Sequence, residues 1–218
     1  MPYRTPFTLA SDEVCIDYET DITAGNLEVN DAYDLYLIAK GKPVRRYLLV
    51  CFMNLQFFFQ DKNGKWTDLE KKNFIAQWEQ NVKSAWNYKI IKVLGGGLNV
   101  VLDLKFKTQI EGTWLHDHWE LSVMKTQKFA RSYVNTFSGN SQLDTLDLVV
   151  TPKNFGLGQR GAVHEFGHML GLPDEYEKQS AWYADKNSIM NNGEVVKGRH
   201  LSEFRSWVDK KLQKHAIK

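Results

Sequence analysis

Only two cysteines, Cys15 and Cys51, stand among the 218 residues. That excludes a disulfide framework and any zinc-ribbon spacing, and leaves room for a single bridge at most. Long hydrophobic runs are lacking too. The longest, 47–59, contains Asn54 and Gln56 and falls well short of the ~20 residues that cross a bilayer, so no membrane span is expected. Nor is there an excess of one charge: 28 basic residues against 26 acidic ones give +2, and the signs are mixed along the chain. No polycationic stripe is present to follow a phosphate backbone, and nucleic acid is not expected as a partner. Asp12, Glu13, Asp17, Glu19 and Asp21 interrupt the early apolar residues before an h-region can form. A Sec-type signal peptide is therefore not expected, which points to the cytoplasm or to export by a dedicated secretion machine.

What is present suits one folded domain. Hydrophobic residues make up 43% of the chain and aromatic ones 13%, bulky enough to fill a core. Residues 1–44 include an acidic stretch, 1–31, broken by Pro2, Pro6 and Gly25, and read as a lead-in or edge segment; 45–218 read as the domain proper. The run 47–59 is expected to be a buried strand, with turn chemistry following at 61–65. Thr67 and Glu70 fit a capping box, and Phe74, Ile75, Trp78, Val82, Ala85 and Trp86 recur at helical spacing. Gly95, Gly96 and Gly97 precede an alternating, strand-like run at 98–106, so they read as a turn and not as a phosphate loop. Further strands are expected at 119–124 and 146–151, then a glycine-rich loop at 156–161, a helix over 164–170 and a last helix over 201–212.

The chemistry is concentrated in one stretch, where His164-Glu165-Phe166-Gly167-His168 forms His-Glu-x-x-His. On a helix, residues four apart share a face, so the two imidazoles can converge on one zinc ion with Glu165 beside its open side. A zinc-bound water has its pKa lowered towards ~7, and Glu165 is placed to take its proton and pass it to a leaving amine. A tetrahedral ion that keeps one position for water needs a third protein ligand. Gly171 can make the left-handed turn that ends the helix, and Asp174 lies three residues past it, with Glu175 as the alternative carboxylate. His116 and His118 flank Asp117, but no further ligand cluster accompanies them, and a surface or cleft role is expected.

The full pattern His-Glu-x-x-His-x-x-Gly-x-x-Asp, with Ser188-Ile189-Met190-Asn191 downstream, resembles the metzincin clan of zinc metallopeptidases, in the variety whose third ligand is aspartate. The resemblance implies an α+β fold: a mixed twisted sheet with a backing helix, an active-site helix, a Met-turn placing Met190 beneath the metal, and a C-terminal helix. It implies one catalytic Zn2+, a zinc-dependent endopeptidase, and a protein or peptide substrate. Asp174-Glu175-Tyr176 and Arg199-His200 are also similar to small metallopeptidase domains of bacterial effectors and toxins, which leaves room for an inhibitor or immunity protein as partner. Where several metzincins carry a tyrosine after the Met-turn, this chain has Asn192. Tyr176, His200 and Arg199 remain as oxyanion donors or as supports of the ligands. Two other functions stay open: a non-catalytic interaction domain stapled by zinc, and a zinc amidase acting on a cell-wall or other non-protein amide.

Overall fold

One long strand organises the molecule. In the computed structural model, which describes residues 3–44, 46–94, 98–112, 117–128 and 130–217, β3 (Arg46–Gln60) is buried along most of its length. It runs where the longest greasy stretch of the sequence lies. Along one edge it pairs in parallel with β5 (Asn99–Ile110), which in turn carries the short antiparallel β4 (Ile90–Lys92). Its other edge is shared by two strands. The first half pairs antiparallel with β2 (Val29–Lys40), and the second half pairs in parallel with β6 (Trp119–Met124). Outside β2 lies β1 (Glu13–Ala24). Outside β6 come β8 (Asn140–Asp144), parallel, and then β7 (Tyr133–Asn135), antiparallel, as the last strand on that side.

Helix α1 (Asp68–Trp86) starts at the expected capping box, with Thr67 and Glu70 bonding reciprocally, and buries the six residues read from its spacing. It backs the sheet. Trp78 packs edge-on against Phe57 of the sheet and against Phe166 of α2 (Gly161–Met169), so α1 joins those two layers. The Trp86 indole donates to the Val163 carbonyl at 3.2 Å, which fixes the two helices in register. Helix α3 (Ser202–Lys214) closes the fold, with Phe204 against Tyr33. The result is the α+β architecture expected from the resemblance. Among the described residues no helix is long and apolar enough to cross a membrane.

One expectation needs amendment. The stretch 146–151 is not a strand: Thr145–Leu148 is a 3-10 turn, and only Thr151–Pro152 (β9) extends, pairing with Gly158–Gln159 (β10). The reason is local. Asp144 accepts from the Leu146 N–H and Asp147 accepts from the Asp144 N–H, and this reciprocal cap outweighs the strand propensity of Leu146, Val149 and Val150. Within residues 1–44, β1 and β2 are long strands of the main sheet, β1 at its edge, with Ala24, Val29, Tyr33, Leu35 and Leu37 in its core. Both cysteines are free and buried, in separate clusters. The Gly95–Gly97 turn and His116 lie outside the described residues.

Asp17 ties the two ends of the chain together. Its carboxylate meets Lys214 at 2.7 Å and His215 at 2.8 Å, with Lys211 at 3.7 Å. Burial pushes its pKa up, but Lys214, His215, the Tyr18 N–H and Lys211 outweigh that and hold it at about 2. Because the folded value lies below that of the unfolded chain, the contribution is complete above pH ~4 and disappears as pH falls through about 2. Asp17→Asn is expected to cost about 1–2 kcal/mol at pH 7. In urea titrations the gap from wild type should close towards pH 2; a gap of constant size would assign Asp17 a packing role.

Candidate metal centre

Helix α2 ends in a Schellman turn. Gly171, at φ 80, donates to the His168 carbonyl at 2.9 Å, and Leu172 donates to the Gly167 carbonyl at 3.1 Å. That turn does two things for the histidines. It sends Asp174 back across the end of the helix, and it aims the Leu172 carbonyl at His168 Nδ1, 2.7 Å away. The Ile189 carbonyl meets His164 Nδ1 at 2.8 Å in the same manner. A carbonyl only accepts, so each Nδ1 carries a proton, which leaves the inward-aimed Nε2 as the nitrogen able to give a lone pair to a metal.

Those nitrogens face one oxygen. Asp174 Oδ1 lies 3.2 Å from His164 Nε2 and 3.3 Å from His168 Nε2. It is buried and has no hydrogen-bond donor among the described residues. Three acceptors meet where a donor or a cation is required. Those two separations match the edge of a tetrahedron with arms of about 2.0 Å, the length of zinc bonds to imidazole nitrogen and carboxylate oxygen, and all three atoms lie within 4.8 Å of one another. The donor set therefore fits a zinc ion.

A second cluster shows what a satisfied His-Asp group looks like. Asp21, Asp34 and His118 also bring potential ligand atoms within 4.8 Å of one another. There, however, His118 Nδ1 accepts the Asn54 N–H at 2.8 Å, so the ring proton sits on Nε2 and points at Asp34 Oδ1, 3.3 Å away. No imidazole lone pair is left to converge with the carboxylates. His118 is buried within the sheet where β2 gives way to β6 along β3, not on a surface or in the cleft as the sequence reading expects.

Around the three acceptors, the remaining residues separate into two groups. Glu165 lies on the cleft wall with its Oε2 buried and without a partner among the described residues, and burial raises its pKa against the pull of the two imidazoles. Tyr176 also lines the cleft, its ring stacked 6.3 Å from that of His164. Burial and the Asp174 carboxylate raise its pKa, so the phenol keeps its proton. Glu175 points elsewhere. Arg199 clasps it with two bonds of 2.7 Å, His200 approaches at 3.2 Å, and its N–H donates to the Met190 carbonyl at 2.7 Å. The structure thus brings Asp174 to the imidazoles and sets Arg199 and His200 on Glu175, away from the cleft lining. Asn192 lines the cleft with its amide donating to Asn191.

Met190 is fully buried beneath the helix. A Cβ on Gly167 would meet its sulfur at 2.2 Å, so the glycine in the middle of the motif is what lets Met190 approach. Sequence reasoning missed that pairing. It also missed Gln159, whose buried amide donates to the Ile189 and Gly193 carbonyls at 2.8 Å and so holds the Met190 loop against α2. A third such residue is Asp147. It accepts from the Ser132 hydroxyl just before β7 and lies so close to Gly161 that a Cβ there would meet its Oδ1 at 1.9 Å. Burial and the nearby carboxylates of Asp144 and Glu165 push its pKa up to about 7 against those hydrogen bonds. Gln159 and Asp147 belong to no motif, and Gly167 fills a position that the motif leaves open. The cleft itself measures ≈ 680 Å³.

Residues 109–216 match the family model of the immune inhibitor A peptidase M6 catalytic domain. The match spans β6 to α3 and contains every residue of the centre. No curated protein and no solved structure matches the chain.

Proposed function

We propose, from the premise that residues 109–216 are a metallopeptidase catalytic domain acting on protein or peptide substrates, that the enzyme is a zinc-dependent endopeptidase. His164, His168 and Asp174 would hold the ion, and Met190 and Gly171 would support it from below and behind. One observation carries this reading: two inward-facing imidazole nitrogens lie 3.2 and 3.3 Å from an orphaned, buried carboxylate oxygen. When bound, zinc supplies Lewis acidity, bringing a water's pKa towards neutrality and polarising the scissile carbonyl.

The chain's own residues do the rest. Glu165, in its desolvated position on the cleft wall, takes a proton from the attacking water and later delivers it to the leaving amine. Tyr176, protonated and beside His164, donates to the oxygen that gains negative charge on the attacked carbonyl. Backbone alignment falls to β7, the last strand on its side of the sheet. Tyr133 and Val134 line the cleft there, and an extended peptide can add to that edge with its main-chain groups paired.

Elemental analysis and a peptide digest test this together. The purified chain should hold one zinc per molecule, lose hydrolysis to background after chelation, and regain it on adding zinc. A chelated protein that melts much lower, after a holo form that cleaves nothing, would favour the zinc-stapled interaction domain. Hydrolysis of muropeptides but of no peptide would favour the amidase.

A further inference from the structure

We infer, resting on the peptidase reading, that this cleft selects peptides bearing a carboxylate near the scissile bond, and that Arg131 and Lys186 receive it. The charges lining the cleft are unevenly disposed. Of its three carboxylates, Asp174 faces the histidines, Glu165 is buried beside them, and Asp147 is buried against Ser132. Its cations are Arg131, Lys153 and Lys186. Elsewhere basic residues near the cleft are matched: Arg160 grips Glu194 at 2.7 Å, Arg199 grips Glu175, and Lys197 meets Asp185 at 3.0 Å. Arg131 and Lys186 make no direct ion pair among the described residues, although Arg131 is near enough to Glu165 to pull its pKa down against burial. Unmatched cations on the walls of a concave site favour an anionic group on whatever enters.

Lys186 is also held in place. Its ammonium lies 3.3 Å from the centre of the Tyr183 ring and 5.3 Å from that of Phe155. Aromatic faces attract a cation without consuming its hydrogen bonds as a carboxylate would. Phe155 sits on this ammonium at some strain, with φ 64 and 69% of its surface exposed. A bulky side chain rarely occupies that left-handed backbone region, and nothing apolar is gained by leaving the ring in water. The contact it does make is with Lys186. Arg131 comes from the segment leading into β7, where the substrate backbone is proposed to lie, so the two cations can reach side chains on a bound strand. The carboxylate they recognise can come from an Asp or Glu side chain or from a free C-terminus.

Fluorescent peptides bound to the full-length chain, read by anisotropy, test this without relying on turnover. Zinc-loaded Glu165→Ala protein and the metal-free wild type are both titrated with peptides differing only in Glu, Gln or Lys beside the expected scissile bond, each as C-terminal acid and amide. Glu peptides should bind about tenfold tighter than their Gln twins and Lys peptides more weakly still, with the spread shrinking as salt rises. Arg131→Glu with Lys186→Glu should invert the order, and the paired glutamine changes should flatten it, in proteins whose circular dichroism matches wild type. A preference seen only with free acids supports the same two receivers and assigns the carboxylate to the C-terminus. Equal affinity for Glu, Gln and Lys peptides together with equal affinity for acids and amides, or no measurable binding, overturns the inference. If the charge preference persists while zinc-loaded wild type cleaves no peptide, the inference stands and the peptidase reading fails.

Discussion

Glu165→Ala should bind zinc at wild-type stoichiometry and lose about 10³-fold in kcat, the middle of the range for removing a positioned acid-base group. That factor corresponds to about 4 kcal/mol of barrier. The geometry separates Glu165 from the ligands: its Oε2 is buried without a partner among the described residues, whereas the three converging atoms belong to His164, His168 and Asp174. Deleting the carboxylate should therefore leave the metal in place. It should also leave the fold as stable as before or more so, because the change relieves a desolvated carboxyl one of whose oxygens no donor among the described residues satisfies. A structural carboxylate would behave in the opposite way and lower the melting temperature. A variant that cleaves peptides as fast as wild type would remove Glu165 from the mechanism, and one that loses its zinc would make Glu165 a ligand.

The parts of this molecule that were legible in the sequence are those in which a period or a local bond decides the structure. His164 and His168 share a face because a helix has 3.6 residues per turn, and Thr67 with Glu70 announces α1 because the two side chains bond each other's backbone. Strand β3 was readable from its run of large apolar residues. β1 was not, for a visible reason. Its pairing with β2 slips between Cys15 and Asp17, between Glu19 and Ile22, and again between Ile22 and Ala24, so the alternation that would reveal a strand is broken three times. The acidic residues that made this segment look loose face solvent or pair with basic groups of α3, as Asp17 and Glu19 do. At the centre, the motif supplied the convergent side chains but not what steadies them. Gln159, Gly167 and Asp147 act through contacts with chain distant in sequence, and only the folded arrangement puts those partners side by side.

The same distinction gives the second large effect, at the contact between Gly25 and Gly171. Both have positive φ, 62 and 80, and the two backbones touch: a Cβ on Gly171 would lie 2.2 Å from the Ala24 carbonyl oxygen, and one on Gly25 would lie 2.3 Å from the Gly171 carbonyl oxygen. That carbonyl also receives the Leu27 N–H at 3.2 Å, so the β1–β2 turn is bonded to the bend that carries Asp174 inward. Gly25→Ala should cost about 2–4 kcal/mol, from left-handed strain together with a backbone clash that no rotamer can relieve. It should also weaken zinc binding about 10–100-fold, although Gly25 lies far from the motif in sequence, because the displaced bend aims Asp174 and the Leu172 carbonyl. Gly156→Ala is the control. Its φ is 70 with nothing within 4 Å, so it reports the strain without the collision. Gly171→Ala should match Gly25→Ala in both stability and metal affinity, and the double variant should cost much less than the sum, since either methyl alone already parts the two segments. Additive losses, or a Gly25→Ala protein that holds zinc as tightly as the Gly156 control, would mean that the first hairpin does not brace the metal centre.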